Sequence, residues 1–307
     1  MGNQIRTTVL LAIFTAIILW IGQLLGGHKG MIAALIIAAG MNFFSYWFSH
    51  KIVLGMYHAR EITPQDRPEI YEMVRSLSQR AGLPMPKLYI IPQEAPNAFA
   101  TGRNPQHAVL AVTEGLLNLM DRDEIMGVLA HELAHVKNRD ILIGSIAATM
   151  AGAIMLLATM ARWSVILGGG SGDDEKGGMG AFGLLIMSIL APLAAMLIQM
   201  AISRSREYLA DKTGAGFAGK PEGLARALEK LGTYSHRLQL QANPATAHMF
   251  IVNPLSGKKF ANLFSTHPPL EARIAHLMGS KPSGGNRNSN TDRMRAEASE
   301  FWNRLSR

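Results

Sequence analysis

Four long apolar runs, each closed off by charged or glycine-rich residues, set the plan of this chain. The residues free of Asp, Glu, Lys and Arg number 22 between Arg6 and Lys29, 21 between Lys29 and Lys51, 21 between Asp140 and Arg162, and 27 between Lys176 and Arg204. Each run reaches the ~20 residues a helix needs to cross a bilayer. The first two, 7–25 and 31–48, are separated only by Gly26-Gly27-His28-Lys29-Gly30, which predicts a helical hairpin. Arg6 ahead of an apolar run would suit a signal peptide. This run is longer than the ~7–15 residues of a signal h-region, however, and it leads straight into a second one. The third and fourth runs, 141–161 and 181–202, flank a loop with three glycines at 168–170 and Asp173-Asp174-Glu175. They predict a second hairpin, kinked at Pro192.

Between and after the hairpins the pattern turns polar. Thr63-Pro64 with Glu69 reads as the capped start of a helix running to about Arg80. Short β-like runs follow at 87–91, 98–101 and 108–112, separated by Pro, Asn and Gly, and predict a small sheet. Asp121 with Glu124 predicts a capping box opening a helix over 122–138, which feeds into the third apolar run. Residues 203–279 read as helical. The expected organisation is an N-terminal transmembrane hairpin (1–50), a polar segment (51–140), a second transmembrane hairpin (141–202), a second polar segment (203–280) and a polar tail (281–307). The fold class is a mainly α integral membrane protein with four transmembrane helices in two hairpins, plus a cytosolic α+β part with a small sheet.

Composition agrees with a lipid bilayer as the main surrounding: 48% of residues are hydrophobic and 17% charged, against about 25% charged in soluble domains. The net charge of +8 does not point to nucleic acid, because the basic residues are spread out with no dense block and no aromatic interleaving. They concentrate instead in the two polar segments, while the short loops hold few. That asymmetry predicts both termini and both polar segments on the cytoplasmic side. With no cysteine in the chain, any metal site must use His, Asp and Glu.

The sharpest chemical signal is His131-Glu132-Leu133-Ala134-His135. Two histidines at i and i+4 share a helix face and can reach one metal ion, with Glu132 beside them to take a proton from a metal-bound water. A hydrolytic zinc site commonly has three protein ligands, and no third histidine follows at His-x-x-Gly-x-x-His spacing. If the second hairpin is antiparallel, it returns the chain to the membrane face that His135 leaves, and Glu207 then lies at matching depth. Glu207 is therefore the candidate third ligand, with one zinc ion per chain. Taken alone, it reads better as half of a surface charge pair in Ser-Arg-Ser-Arg-Glu-Tyr, and the need of a metal site for a ligand at this depth reverses that preference. Asp211, one turn further on, falls on the same face and could orient a ligand histidine.

The chain resembles the HtpX family of bacterial membrane zinc endopeptidases, relatives of the CAAX prenyl protease metallopeptidases. The resemblance is carried by the run from His131 to Asp140 (HELAHVKNRD) and by Arg206-Glu207-Tyr208-Leu209-Ala210-Asp211. Asn97-Ala98-Phe99-Ala100-Thr101-Gly102 and Ser265-Thr266-His267-Pro268-Pro269 add to it. It implies zinc on His131, His135 and Glu207, Glu132 as general base, and a metalloprotease built from both polar segments. It also implies cleavage of misfolded or damaged membrane proteins and unfolded polypeptide in quality control of the bacterial cytoplasmic membrane, with self-cleavage as a family habit.

Three further assignments stay open on the sequence. The oxyanion needs a donor besides the metal. His267 is the candidate, with Tyr208 behind it, although His267 also reads as a turn residue ahead of a helix starting near Pro269. Residues 97–102 read either as a strand and turn or as an edge strand that pairs with substrate backbone through Asn97, Ala98 and Phe99. Two other functions compete: a catalytically silent metal-binding membrane scaffold, and a four-span transporter. A transporter should carry ionisable side chains inside its spans, and the four runs hold none of Asp, Glu, Lys or Arg.

Overall fold

The computed structural model describes residues 3–151, 204–237, 251 and 268–279. The expected second half of the third apolar run, the fourth run with Pro192, His267 and the tail 281–307 lie outside the described residues.

Helix α1 (Asn3–Met56) carries the first two apolar runs and folds back on itself at Gly27, where φ is +56°. Asn42 Nδ2 donates to Thr15 Oγ1 over 2.8 Å. These residues lie 27 positions apart, and at ~1.5 Å per residue one straight helix would hold them about 40 Å from each other. Gly22 and Gly30 meet backbone to backbone across the turn, with no room for a Cβ at either. The bend thus lays 7–25 back against 31–48. Among the described residues, the segment Gly27–Met56, near the N-terminus, is long and apolar enough to cross a membrane. Its outward side chains, including Ile36, Ile37, Phe43 and Phe44, are exposed.

A four-stranded mixed sheet follows: β1 (Arg60–Glu61), β2 (Lys87–Ile91), β3 (Ala98–Thr101) and β4 (Val109–Thr113), in the order β1-β2-β4-β3. Strand β2 runs parallel to β4, and β3 pairs antiparallel with β4 as the edge strand, Ala100 opposite Leu110. Strands alternate their side chains between faces, and here both faces are covered. Leu88, Ile90, Leu110 and Val112 pack on the helical core. Ile91, Phe99, Val109 and Ala111 pack on Val53, Leu54 and Tyr57 at the end of α1, and on Ala148. The sheet thus joins the apolar hairpin to the domain that holds the site.

The helices are α2 (Pro68–Ala81), α3 (Glu114–Leu119), α4 (Arg122–Lys137), α5 (Ile141–Ala151), α6 (Arg204–Ala218), α7 (Glu222–Arg237) and α8 (Leu270–Leu277). The capping box of α4 forms as expected: Glu124 N–H donates to Asp121 Oδ1 and Asp121 N–H to Glu124 Oε2, both at 2.9 Å. Thr63 does not cap α2. Its N–H and Oγ1–H both donate to Asp66 Oδ2 at 2.6 and 2.7 Å, closing a separate turn. The helix then starts at Pro68, a residue suited to the first turn because it has no N–H to leave unsatisfied. Strand β1 and helix α3 are too short for hydrophobic periodicity to reveal, and β4 begins one residue later than its apolar run.

Helix α4 is the centre of the domain, and glycines bring its neighbours close. A Cβ on Gly214 of α6 would stand 2.8 Å from the His131 backbone N and Cα. Helix α7 approaches equally closely where Gly223 meets the backbone of α4 and Gly127 meets that of α7. Backbone atoms give way poorly, so Gly214→Ala is expected to cost about 1–3 kcal/mol. It should also push α6 off α4 and weaken metal binding, which thermal melts and chelator competition on the purified variant would measure.

Candidate metal centre

The ends of α4 and α6 supply the site. His131, Glu132 and His135 come from the last two turns of α4, and Glu207 and Asp211 from the first two turns of α6. His131 Nε2 and His135 Nε2 lie 3.2 Å apart. Glu207 closes the group, with Oε2 3.8 Å from His131 Nε2 and Oε1 3.6 Å from His135 Nε2. One ligand atom from each of the three lies within 4.8 Å of the others. A tetrahedral ion with ligands at ~2.0–2.1 Å holds them about 3.3–3.4 Å apart. Two imidazoles and a carboxylate at these separations therefore fit a zinc-sized ion. All three sit on rigid helices, and His131 and Glu207 are buried.

Each histidine is backed by a carboxylate, and each carboxylate by an arginine. His135 Nδ1 lies 3.1 Å from Asp140 Oδ2, and Asp140 Oδ1 is 3.7 Å from Arg206 Nη1. His131 Nδ1 lies 2.9 Å from Asp211 Oδ1, close in distance though poorly aligned. Asp211 takes a two-pronged contact from the wholly buried Arg273 of α8, Nε to Oδ2 at 2.9 Å and Nη2 to Oδ1 at 2.7 Å. The same guanidinium is 3.5 Å from Glu207 Oε2 and 3.4 Å from His131 Nε2, and it donates to Ile251 O at 3.1 Å. Carboxylates on the Nδ1 atoms favour the tautomer that leaves both Nε2 lone pairs for a metal.

Asp140 reaches His135 because the chain leaves α4 through a left-handed residue. Arg139 has φ +59°, a conformation uncommon for a side chain other than glycine. It turns Asp140 so that its N–H donates to His135 O at 2.9 Å.

These carboxylates shape the titration of the site. Burial alone would push His135 down, but the hydrogen bond it donates to Asp140 and the charges of Glu207 and Glu132 outweigh it and raise the imidazole to about 9. Asp211 is held below the ordinary carboxylate range: burial opposes this, and the contacts with His131 and Arg273 prevail. Glu132 is raised above that range, chiefly by burial and further by Glu207, against the histidines and a 3.0 Å hydrogen bond from Ala100 N–H to Oε2.

The structure brings His131, Glu132, His135, Glu207 and Asp211 together. Tyr208 packs its ring on His276 of α8, with centroids 4.6 Å apart. His267 lies outside the described residues. On the edge strand, the Asn97, Ala98 and Phe99 side chains are buried. Asn97 Oδ1 accepts from Ile251 N–H at 3.3 Å, and its backbone is bonded to Thr113. Ala100 N–H points away from β4, off the edge of the sheet as the described residues form it, at Glu132, and strand parity puts the backbone groups of Ala98 on that same edge. Any backbone pairing with substrate therefore falls to Ala98 and Ala100. Asn97 and Phe99 turn theirs toward β4.

The model of peptidase family M48 matches residues 64–281, which include every part of this centre. The chain belongs to peptidase family M48. It is a metalloendopeptidase, and it is similar at high identity to proteases described as HtpX homologues. The protease HtpX homologue of Desulforapulum autotrophicum is 66% identical over 99% of this chain and 100% of its own length. That of Desulfatibacillum aliphaticivorans is 64% identical at 99% and 100% coverage. That of Thermococcus kodakarensis is 56% identical over 89% of this chain and 94% of its own. The crystal structure of S. mikatae Ste24p aligns with a TM-score of 0.45 at 20% identity, covering 90% of this chain and 65% of that one.

Sequence reasoning missed three of the supporting residues. Asp140 and Arg206 stand inside the motif runs but carry no local sign of their role. Arg273 shows only as a basic residue in a short amphipathic helix.

Proposed function

We propose that this M48 metalloendopeptidase is a zinc enzyme of the bacterial cytoplasmic membrane that cleaves misfolded or damaged membrane proteins and unfolded polypeptide. In this reading the chain crosses the bilayer four times in two hairpins, with its termini and catalytic segments on the cytoplasmic side. Residues 51–140 and 203–280 form the two parts of one catalytic domain. The carrying observation is the convergence of His131 Nε2, His135 Nε2 and Glu207 beside the buried Glu132.

Zinc, when bound, supplies a Lewis acid that polarises the scissile carbonyl and brings the pKa of water toward ~7. The chain's own residues do the rest. Glu132, raised by burial, takes a proton from the attacking water and returns it to the leaving amine. Asp211 and Asp140 orient the histidines. The outer edge of β3 offers Ala98 and Ala100 backbone to an extended substrate, so recognition reads peptide shape more than side-chain identity. His267, or Tyr208 in its place, donates to the oxyanion.

The test is chelation of the detergent-purified chain followed by zinc re-addition, with cleavage of an unfolded protein as readout. We expect activity to vanish and return with one zinc per chain. Below pH ~9 the metal must displace the proton that Asp140 and the neighbouring carboxylates hold on His135. The zinc needed for half-restoration should therefore rise up to about tenfold for each pH unit the solution is lowered. One zinc per chain with no cleavage of any substrate, the chain itself included, would favour the scaffold reading instead.

A further inference from the structure

Where α1 leaves its apolar run, one helix face carries Trp47, His50 and Lys51, at i, i+3 and i+4. The turn between β3 and β4 packs onto this face. Arg103 lays its guanidinium over the Trp47 ring, Cζ 4.5 Å from the centroid. Its Nη2 lies 2.7 Å from His107 Nε2, and His107 Nδ1 is 2.7 Å from Asn104 Oδ1. Asn104 thereby favours the proton on Nδ1 and leaves Nε2 to accept from the arginine. The guanidinium is held on its face by an indole and on one edge by an imidazole, with the rest of its donor fork uncommitted among the described residues. Lys51 Nζ stands 5.7 Å from the centroid of Phe48, and His50 lies within electrostatic reach of Lys51, Arg103 and His107.

Positive charge gathered in this way ordinarily finds a carboxylate. Among the described residues, neither Lys51 nor Arg103 has an acidic partner within ion-pair distance. Lys87, the nearby cation that does, is 2.9 Å from Glu61. The other neighbours are aromatic: Phe43, Phe44, Tyr46, Trp47 and Phe48 form a chain of ring contacts and stay exposed. Such rings prefer the boundary between acyl chains and headgroups. An arginine stacked on an aromatic and presenting a planar donor fork suits a phosphate oxygen pair, and the exposed Phe43 and Phe44 suit the acyl chains beside it.

We propose that Arg103, Lys51 and His50, framed by Trp47 and Phe48, bind the headgroup phosphate of an anionic phospholipid. The site rests on the reading that α1 lies in a bilayer. The bound lipid supplies the missing counter-charge and pins the β3–β4 turn, and with it the edge of β3, against the membrane surface.

The experiment reconstitutes the full chain into nanodiscs of equal parts phosphatidylcholine and phosphatidylglycerol. The particles are then stripped with detergent, and the retained lipid is counted by native mass spectrometry. Wild type should hold phosphatidylglycerol about fivefold or more above phosphatidylcholine. Arg103→Gln and Lys51→Gln should each lower that ratio by about fivefold, as expected for one cationic side chain at an anionic surface. Arg103→Lys should fall between wild type and Arg103→Gln, because it keeps the charge but loses the planar stack. Arg75→Gln, which removes an exposed arginine paired with Glu72 on α2, should change nothing. Circular dichroism melts confirm that each variant is folded.

Retention equal to the bulk mixture in wild type, or unchanged in both Gln variants, overturns the lipid site while leaving the membrane reading intact. Inorganic phosphate binding to the detergent-purified chain that Arg103→Gln abolishes, with lipid retention unchanged by Arg103→Gln and Lys51→Gln, shows a free-phosphate site and overturns the lipid assignment. A chain that stays soluble without detergent and does not enter nanodiscs overturns the membrane reading together with the site.

Discussion

Glu132→Gln is expected to lower proteolysis by about 10²–10⁴-fold, the span that positioned proton transfer contributes, while zinc stoichiometry stays at one per chain. The geometry separates the two effects. Glu132 is absent from the converging ligand set, which is His131, His135 and Glu207. Its own contact is with Ala100 N–H at 3.0 Å. Glutamine keeps an acceptor oxygen for that amide and loses only the capacity to take a proton. The stability change should run opposite to the activity change. Because burial raises the folded-state carboxyl above its ordinary range, that group favours folding while it is protonated, and the benefit is lost as pH rises through the folded value. Above that folded value the ionised carboxylate therefore burdens the metal-free fold. The neutral amide removes that burden, so the metal-free variant should melt above wild type. Zinc content by mass spectrometry, single-turnover cleavage and melting of the same preparation check all three. Cleavage at the wild-type rate with zinc bound would remove Glu132 from the role of base.

What the sequence makes legible here divides by distance along the chain. The α4 histidines and the Asp211 contact follow from helix periodicity, since i and i+4 share a face. Glu207 was expected on the assumption of an antiparallel second hairpin, most of which lies outside the described residues; the structure itself shows α6 bringing Glu207 to the α4 histidines. The strands at 87–91 and 98–101 were legible from their apolar runs and Pro, Asn and Gly boundaries. Asp140 was not legible by the same rules. Five positions after His135, it would point off the ligand face if the helix continued, and it comes back only because Arg139 turns left-handed. The missed cap of α2 is similar in kind: Thr63 had a competing local partner in Asp66. Side chain–backbone competition of this sort is decided by a few tenths of a turn that composition does not record. Arg273 lies 62 positions from Asp211, and only the packing of α8 against α6 brings them together.

Replacing that arginine should have the second large effect. Arg273→Met keeps most of the side-chain volume and removes the charge. It leaves the Asp211 carboxylate, 2% exposed, without its two-pronged partner and takes the nearest cation from Glu207. Removing one member of a buried pair costs about 3–5 kcal/mol, because the other charge is stranded out of water. The metal-free variant should therefore be badly destabilised or unfolded. Zinc should recover more stability in it than in wild type, since the ion replaces the positive charge that Glu207 has lost. Arg273→Lys retains a cation but not the planar fork. It should fold and bind zinc about 10–100-fold more weakly, the usual cost of losing a partner that aligns a ligand histidine. The pairing with Asp211 carries its own signature. Asp211→Asn removes the carboxylate that Arg273→Met would strand, so the double variant should lose less stability than the two single losses added together. Chelator-competition zinc affinities and denaturant melts on the four proteins of that cycle give the coupling directly. Simple additivity would mean that Arg273 fills space beside the site and does not hold Asp211 against His131. A coupling with unchanged zinc affinity would confine its role to folding.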